Sequence, residues 1–273
     1  MIAERAASEN GSVPPSSVHK RDPDSVWIHH PRPQVGNDLH LEFSYPDDFT
    51  SARLVDLIEV QRQAGMYFMH SLLGVPEGRV FILSSISLER SLWQFERHLD
   101  AQAAGGAIVV REYARDVWAS PQKAPTELAF KLFANTGAAA GAATVRAISQ
   151  RAYDRVRRTS ATPAKPLTGS VHADYVGAIV LDRLDPLLSD HASDHVSAMA
   201  VLASLERSVL SFGSLRVDAL SAEFRRYIEE GEDATYRLSF GADGVFSGIV
   251  EQSAAVCATF MGSATVRAIR GAS

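Results

Sequence analysis

Two apolar stretches carry ionisable side chains in their interiors, and these are the first places where chemistry could sit. Between Thr50 and Leu73, Glu59, Gln61, Arg62 and Gln63 interrupt a run rich in Leu, Ile, Val, Phe and Met; between Val196 and Phe212, Glu206 and Arg207 do the same. A carboxylate or guanidinium taken out of water needs a partner. One reading is local: Glu59 and Arg62 are three residues apart and can pair along a helix face. The other is that these groups face a cleft between two parts of the chain, where burial would raise the pKa of Glu59 and suit it to general-base work near neutral pH.

A third polar cluster, Asp190-His191-Ala192-Ser193-Asp194-His195, precedes the second stretch. Two histidines four apart beside two aspartates hint at a metal, but no further ligand cluster completes a site, so no metal is expected. Ser193 or Asp194 can cap the following helix, and His191 can touch substrate. The familiar phosphate and nucleophile signatures are missing: there is no Walker loop, no Gly-x-Gly-x-x-Gly and no Gly-x-Ser-x-Gly. The small-residue run Gly137 to Ala143 suits a turn or close strand packing, and Cys257 sits in an apolar strand as a core residue. No cofactor is expected.

The elements that must position these groups follow from patterning. The 273 residues allow about two domains, and a net charge of −5 argues against a nucleic-acid footprint. A single cysteine excludes a disulfide scaffold and favours a reducing, cytoplasmic setting; no apolar run is long enough to span a membrane. Residues 1–17 read as a flexible tail, and 159–170, with two prolines, as a linker. The parts on either side, 18–158 and 171–273, begin alike: Val18-His19 leads to a strand-like Val26-Trp27-Ile28, and Val171-His172 leads to Ile179-Val180-Leu181. Each then has a buried helix, about Thr50 to Leu73 with Thr50 or Ser51 as cap and Gly74 beyond, and about Val196 to Phe212. Strands are expected after the first at Arg79–Ser87, Ala107–Tyr113, Leu128–Ala134 and around Val145–Val156. After the second they are expected at Leu215–Ala219, Thr235–Phe240, Val245–Glu251 and Ala254–Met261. One long helix followed by antiparallel strands, twice over, is an α+β pattern with internal duplication. The hexapeptide Ala-Thr-Val-Arg-Ala-Ile, found at Ala143 and again at Ala264, has an offset of 121 that does not match the offset of 145 between Arg62 and Arg207, and is coincidental.

In combination these residues resemble a known family. Val18-His19-x-x-Asp22-Pro23 before an apolar strand, followed by Glu59-x-x-Arg62-Gln63-Ala64 in a helix, is similar to the A-factor biosynthesis hotdog repeat. Val171-His172, the Asp190 to Val196 segment and Arg207 resemble a second copy. The resemblance implies a double hotdog, two tandem repeats in which a curved antiparallel sheet wraps a central helix. It further implies the acyltransferase activity of γ-butyrolactone autoregulator synthases. A β-ketoacyl group would move from a thioester, on acyl carrier protein or CoA, to the hydroxyl of dihydroxyacetone phosphate, toward a butyrolactone, butenolide or furan signal. The family's suspected catalytic positions map to Glu59 and Arg207. Glu59 would take the alcohol's proton and Arg207 would grip phosphate or hold Glu59. His191 joins them as a catalytic candidate, with Arg62, Gln63 and His195 as substrate-binding candidates. Backbone N–H groups at a helix N-terminus would stabilise the oxyanion, and Phe68 and Met69 would flank the acyl chain.

The copies are not equivalent. Ser204 stands where the first copy has Glu59, and Tyr45 and Pro46 fall near the place of His191, so one composite site shared by a pseudo-dimer is expected, as a monomer or a further homodimer. The alternatives are a hotdog dehydratase or thioesterase using His191 and Glu59, and a non-catalytic, ligand-sensing or scaffold hotdog protein.

Overall fold

The structure, a computed structural model, describes residues 11–33, 38–44, 52–91, 105–113, 124–134, 137–160, 173–180, 185, 195–211 and 215–266. His191, Ser193 and Asp194 lie outside them, as do Thr50, Ser51 and most of the expected linker.

In chain order the strands are β1 (Ile28–Pro33), β2 (Asp38–Ser44), β3 (Val80–Ser91), β4 (Gly105–Tyr113), β5 (Thr126–Ala134) and β6 (Gly137–Ile148). They continue with β7 (Tyr175–Ala178), β8 (Leu215–Phe224), β9 (Ala234–Phe240), β10 (Val245–Gln252) and β11 (Ala255–Val266). Three α-helices accompany them: α1 (Leu54–Ser71), α2 (Gln150–Ser160) and α3 (Ala198–Ser211). All described strands form one antiparallel sheet in the order β1-β2-β4-β5-β6-β3-β8-β11-β10-β9-β7. That order is a mirror: β3 corresponds to β8, β6 to β11, β5 to β10, β4 to β9 and β2 to β7, with α1 matching α3. The seam is the antiparallel pair β3–β8, where Ser87 faces Ser221 and Leu88 faces Leu220.

Strand burial alternates where one face meets a helix, as in Leu128, Phe130 and Leu132 on β5 or Leu39, Leu41 and Phe43 on β2. α1 and α3 are buried nearly all round because each lies between the sheet and the rest of the core, and their apolar residues join one continuous cluster. Gly74, at φ 62°, turns the chain after α1, where the Leu73 and Val75 N–H groups donate to the carbonyls of Phe68 and Met69. Gly141 permits close packing of β6 on β3, since a Cβ there would lie 2.2 Å from the Ser87 carbonyl oxygen.

Three expectations change. The stretch around Val145–Val156 is not one strand: β6 ends at Ile148 and α2 begins at Gln150, where Ser149 Oγ accepts from the Ala152 N–H at 3.2 Å. Residues 11–17 are packed rather than loose, with Val13 buried, Ser12 bridging to His29 and a 3-10 turn over Pro15–Val18. Ile179 and Val180 follow β7 instead of forming it.

Candidate active site

Between the halves lies a cavity of about 730 Å³. One wall comes from α1 (Gln61, Arg62, Met66, Met69) and from β3, whose pairing with β6 shifts register between Leu83 and Ser85 beside the cavity. The other comes from Tyr153 on α2, from His195 to Met199 at the entry to α3, and from Phe224 at the end of β8 through Ile228.

Glu59 does not line this cavity. Its fully buried carboxylate is pinned from several sides: Arg62 donates through Nε and Nη2 at 2.7 Å each, Gln63 Nε2 donates at 2.9 Å, and Lys20 Nζ lies 3.4 Å away. Burial alone pushes its pKa up, but the adjoining Arg62, Lys20 and Gln63 outweigh that and hold it below the usual carboxylate range. The expected general base is therefore a weak one; its evident effect is to fix the Arg62 guanidinium, which does reach the cavity wall. The local pairing read from the Glu59–Arg62 spacing is realised. Gln63 is also turned away, donating to the Ser25 carbonyl at 2.9 Å and accepting the Trp27 N–H at 2.9 Å, so it ties α1 to the segment before β1 and does not line the cavity.

Gln61, one of the polar helix residues expected to face a cleft, lines the cavity. Its Nε2 donates to the carbonyls of Ser87 and Ala142 at 3.3 and 3.1 Å, which uses both amide hydrogens and fixes the orientation of the group. Its Oε1 is then left buried without a hydrogen-bond partner on a side chain that lines the cavity.

On the opposite wall His195 Nδ1 lies 3.2 Å from the Tyr153 hydroxyl, and its backbone bridges to Glu229. Arg157 clamps Glu229 through two contacts of 2.6 Å and stacks over the Tyr227 ring at 4.7 Å. Next comes the N-terminus of α3, where Ser197 Oγ accepts the Ala200 N–H at 3.1 Å and Val196 to Met199 face the cavity.

Arg207 is not among the lining residues; its guanidinium donates to the Val180 carbonyl at 2.7 Å within the second half. The phosphate grip expected of it is not met from that position. Glu206, buried on the same helix, accepts the N–H groups of Leu54 and Val55 at 2.7 and 2.9 Å and so caps α1 from across the molecule. Burial pushes its carboxyl pKa up despite those bonds. Of the expected site residues the structure thus brings Arg62 and His195 to one cavity and leaves Glu59, Gln63 and Arg207 outside it.

The charge on the walls is one-sided. Arg62, Arg79, Arg225 and Arg226 line the cavity together with His19 and His195, and among the described lining residues there is no Asp or Glu. This is notable in a chain of net charge −5. Arg79, Arg225 and Arg226 lie in connecting segments, where a lone sequence carries no periodic signal to expose them. His19 was visible only as half of the Val-His pair. Elsewhere, His29, His30 and Glu42 bring ligand atoms within 4.8 Å of one another, and none of them lines the cavity.

The sequence profile of the A-factor biosynthesis hotdog domain matches residues 2–149. The chain belongs to the A-factor biosynthesis hotdog family. No curated protein sequence matches it. Among solved structures it is similar to the 12:0-ACP thioesterase from Umbellularia californica, with a TM-score of 0.58 and 11% identity over 86% of this chain and 100% of that one. It is also similar to an acyl-ACP thioesterase from Bacteroides thetaiotaomicron, with a TM-score of 0.51 and 10% identity over 84% and 98% of the respective chains. At these identities the likeness is one of fold, and it extends the hotdog assignment over the second half of the chain. Among the described residues no helix is long and apolar enough to cross a membrane.

Proposed function

We propose that this family member is an acyltransferase that moves a β-ketoacyl group from a thioester of acyl carrier protein or CoA to the hydroxyl of dihydroxyacetone phosphate. The observation that carries the reading is the cavity wall with four arginines and no carboxylate among its described residues. Guanidinium forks match phosphate oxygens, so an acceptor with a phosphate is favoured over water or a neutral alcohol. Family membership and the likeness to acyl-ACP thioesterases support a thioester donor.

The geometry divides the work. Met66, Met69, Leu128 and Phe130 give the acyl chain an apolar bed. The N-terminus of α3, with backbone N–H groups and the positive end of the helix dipole, offers donors to the thioester carbonyl oxygen as negative charge develops there. Gln61 Oε1 accepts a hydrogen bond from a hydroxyl or amide of the substrate. Glu59 acts by holding Arg62 against the acceptor phosphate, while His195, set by Tyr153, contacts substrate from the other side.

The test is to incubate the protein with a β-ketoacyl thioester, with and without dihydroxyacetone phosphate, and to follow thiol release and ester formation. The expected result is ester that appears only with the phosphate, with Arg226→Ala raising the acceptor KM about tenfold or more. Thiol release that is independent of the phosphate would instead identify a thioesterase, and loss of water from a β-hydroxyacyl thioester would identify a dehydratase.

A further inference from the structure

Transfer to a hydroxyl needs a proton acceptor at the cavity, and Glu59 does not supply one. His19 lines the cavity. It ends the 3-10 turn Pro15–Val18 at φ 55°, a left-handed conformation that residues other than glycine seldom hold and that recurs at functional sites. Its Nε2 lies 3.3 Å from Nε2 of His70, and His70 Nδ1 lies 2.7 Å from the Val75 carbonyl oxygen. A carbonyl only accepts, so His70 carries its proton on Nδ1. Neutral His70 then presents a lone pair at Nε2, so the contact between the rings requires His19 to donate from its own Nε2. The lone pair of His19 falls on Nδ1. Phe81 packs edge-on against both rings, with centroids 5.1 and 5.2 Å away, and holds their planes.

Cationic side chains flank the pair. Arg62 donates to the Val18 carbonyl at 3.4 Å, Arg79 lines the same cavity, and Lys20 follows in the chain with its ammonium on Glu59. The Glu59 carboxylate is committed to Arg62 and Lys20.

We propose that His19 is the proton acceptor of the transfer reaction and that His70 is its positioning residue. This inference rests on the acyl-transfer reading above. The acceptor O–H proton moves to His19 Nδ1 as the oxygen attacks the thioester carbonyl carbon and a C–O bond forms. Collapse of the tetrahedral intermediate breaks the C–S bond, and the departing thiolate takes the proton from His19. Ester and thiol are the products, and His19 returns neutral. While His19 is charged, the neutral Nε2 of His70 accepts a charge-assisted bond from it.

The test uses thiol release from a β-ketoacyl thioester, measured with dihydroxyacetone phosphate and with water alone. His19→Gly accepts the left-handed backbone and opens space for a small base. It is expected to lower kcat at least about 100-fold, and added imidazole is expected to restore part of the loss. His19→Asn, which also tolerates that backbone, is expected to be as slow as His19→Gly without imidazole. His70→Ala is expected to lower kcat about tenfold with the acceptor KM unchanged, and to move the acid limb of the kcat profile to lower pH. If transfer persists at the wild-type rate in His19→Gly and His19→Asn, the inference is overturned while the acyltransferase reading stands. If the wild type releases thiol equally with water alone, and His19→Gly stops that release and imidazole restores it, the phosphate acceptor is wrong and His19 stands. A slow His19→Gly with normal melting that imidazole does not rescue overturns the base assignment, and a wild type inert toward every acceptor overturns both readings.

Discussion

The two central helices begin in opposite circumstances. The first N–H groups of α1, on Leu54 and Val55, end on the Glu206 carboxylate of α3, and that entrance is closed. The corresponding entrance to α3 opens on the cavity and, among the described residues, is capped by Ser197 from its own chain segment. With the offset of 145 that relates Arg62 to Arg207, the counterpart of Glu206 is Gln61. One mirror position thus holds a carboxylate that plugs a helix end, and the other holds an amide tied back to the sheet by two carbonyls. Within the mirror order of the strands, Glu206 occupies one of these places and Gln61 lines the cavity at the other.

The largest effect is expected from making the two sides alike. Gln61→Glu puts a carboxylate opposite the α3 N-terminus, where it competes with a developing oxyanion for the same N–H groups. It is expected to lower kcat/KM for transfer by about 100-fold. Gln61→Ala, which removes the Oε1 acceptor without adding a plug, is expected to cost less. Steady-state rates on both variants separate the two, and equal losses would show that plugging is not the reason.

Opening the closed side comes next. Glu206→Ala leaves the Leu54 and Val55 N–H groups buried without their acceptor, at about 1–3 kcal/mol for each orphaned group. Urea unfolding is expected to show a loss of about 2–4 kcal/mol, with Glu206→Gln recovering part of it. Rates at low temperature are expected to stay within about threefold of wild type, since Glu206 does not line the cavity. A large fall in rate at unchanged stability would move Glu206 into the reaction.

The plug also marks where a single sequence stops being informative. The two buried helices and most strands were legible, because apolar periodicity is local and β-branched runs such as Ala107–Tyr113 are short-range signals. The anomaly of polar residues inside the helices was legible as well, and so was the Glu59–Arg62 pair, whose partners sit one turn apart. The contact of Glu206 with Leu54 spans 152 residues and has no local trace. The same holds for His19 against His70 and for the arginines in connecting segments, which the fold assembles from four separate stretches. Residues 145–156 misled because the apolar pattern of β6 runs into α2 with only Ser149 between them.

The smallest effects distinguish the two buried glutamates by the sign of their pH dependence. Glu59 has a folded pKa below its ordinary value, so its stabilisation is complete above the ordinary glutamate range and is lost as pH falls through the depressed value. Glu206 has a folded pKa above the ordinary value. Its contribution is complete below that range and is lost as pH rises through the raised value, where the buried carboxyl is forced to ionise. Relative to wild type, Glu59→Gln is therefore expected to be most destabilised at neutral pH and to converge with it in acid. Glu206→Gln is expected to compare best at neutral pH and to fall behind as the pH approaches the ordinary glutamate range. Urea unfolding of the three proteins between neutral and mildly acidic pH reads both slopes. Slopes of the same sign would mean that the two carboxylates share one environment, and the contrast between a paired glutamate and a plugging one would fall with them.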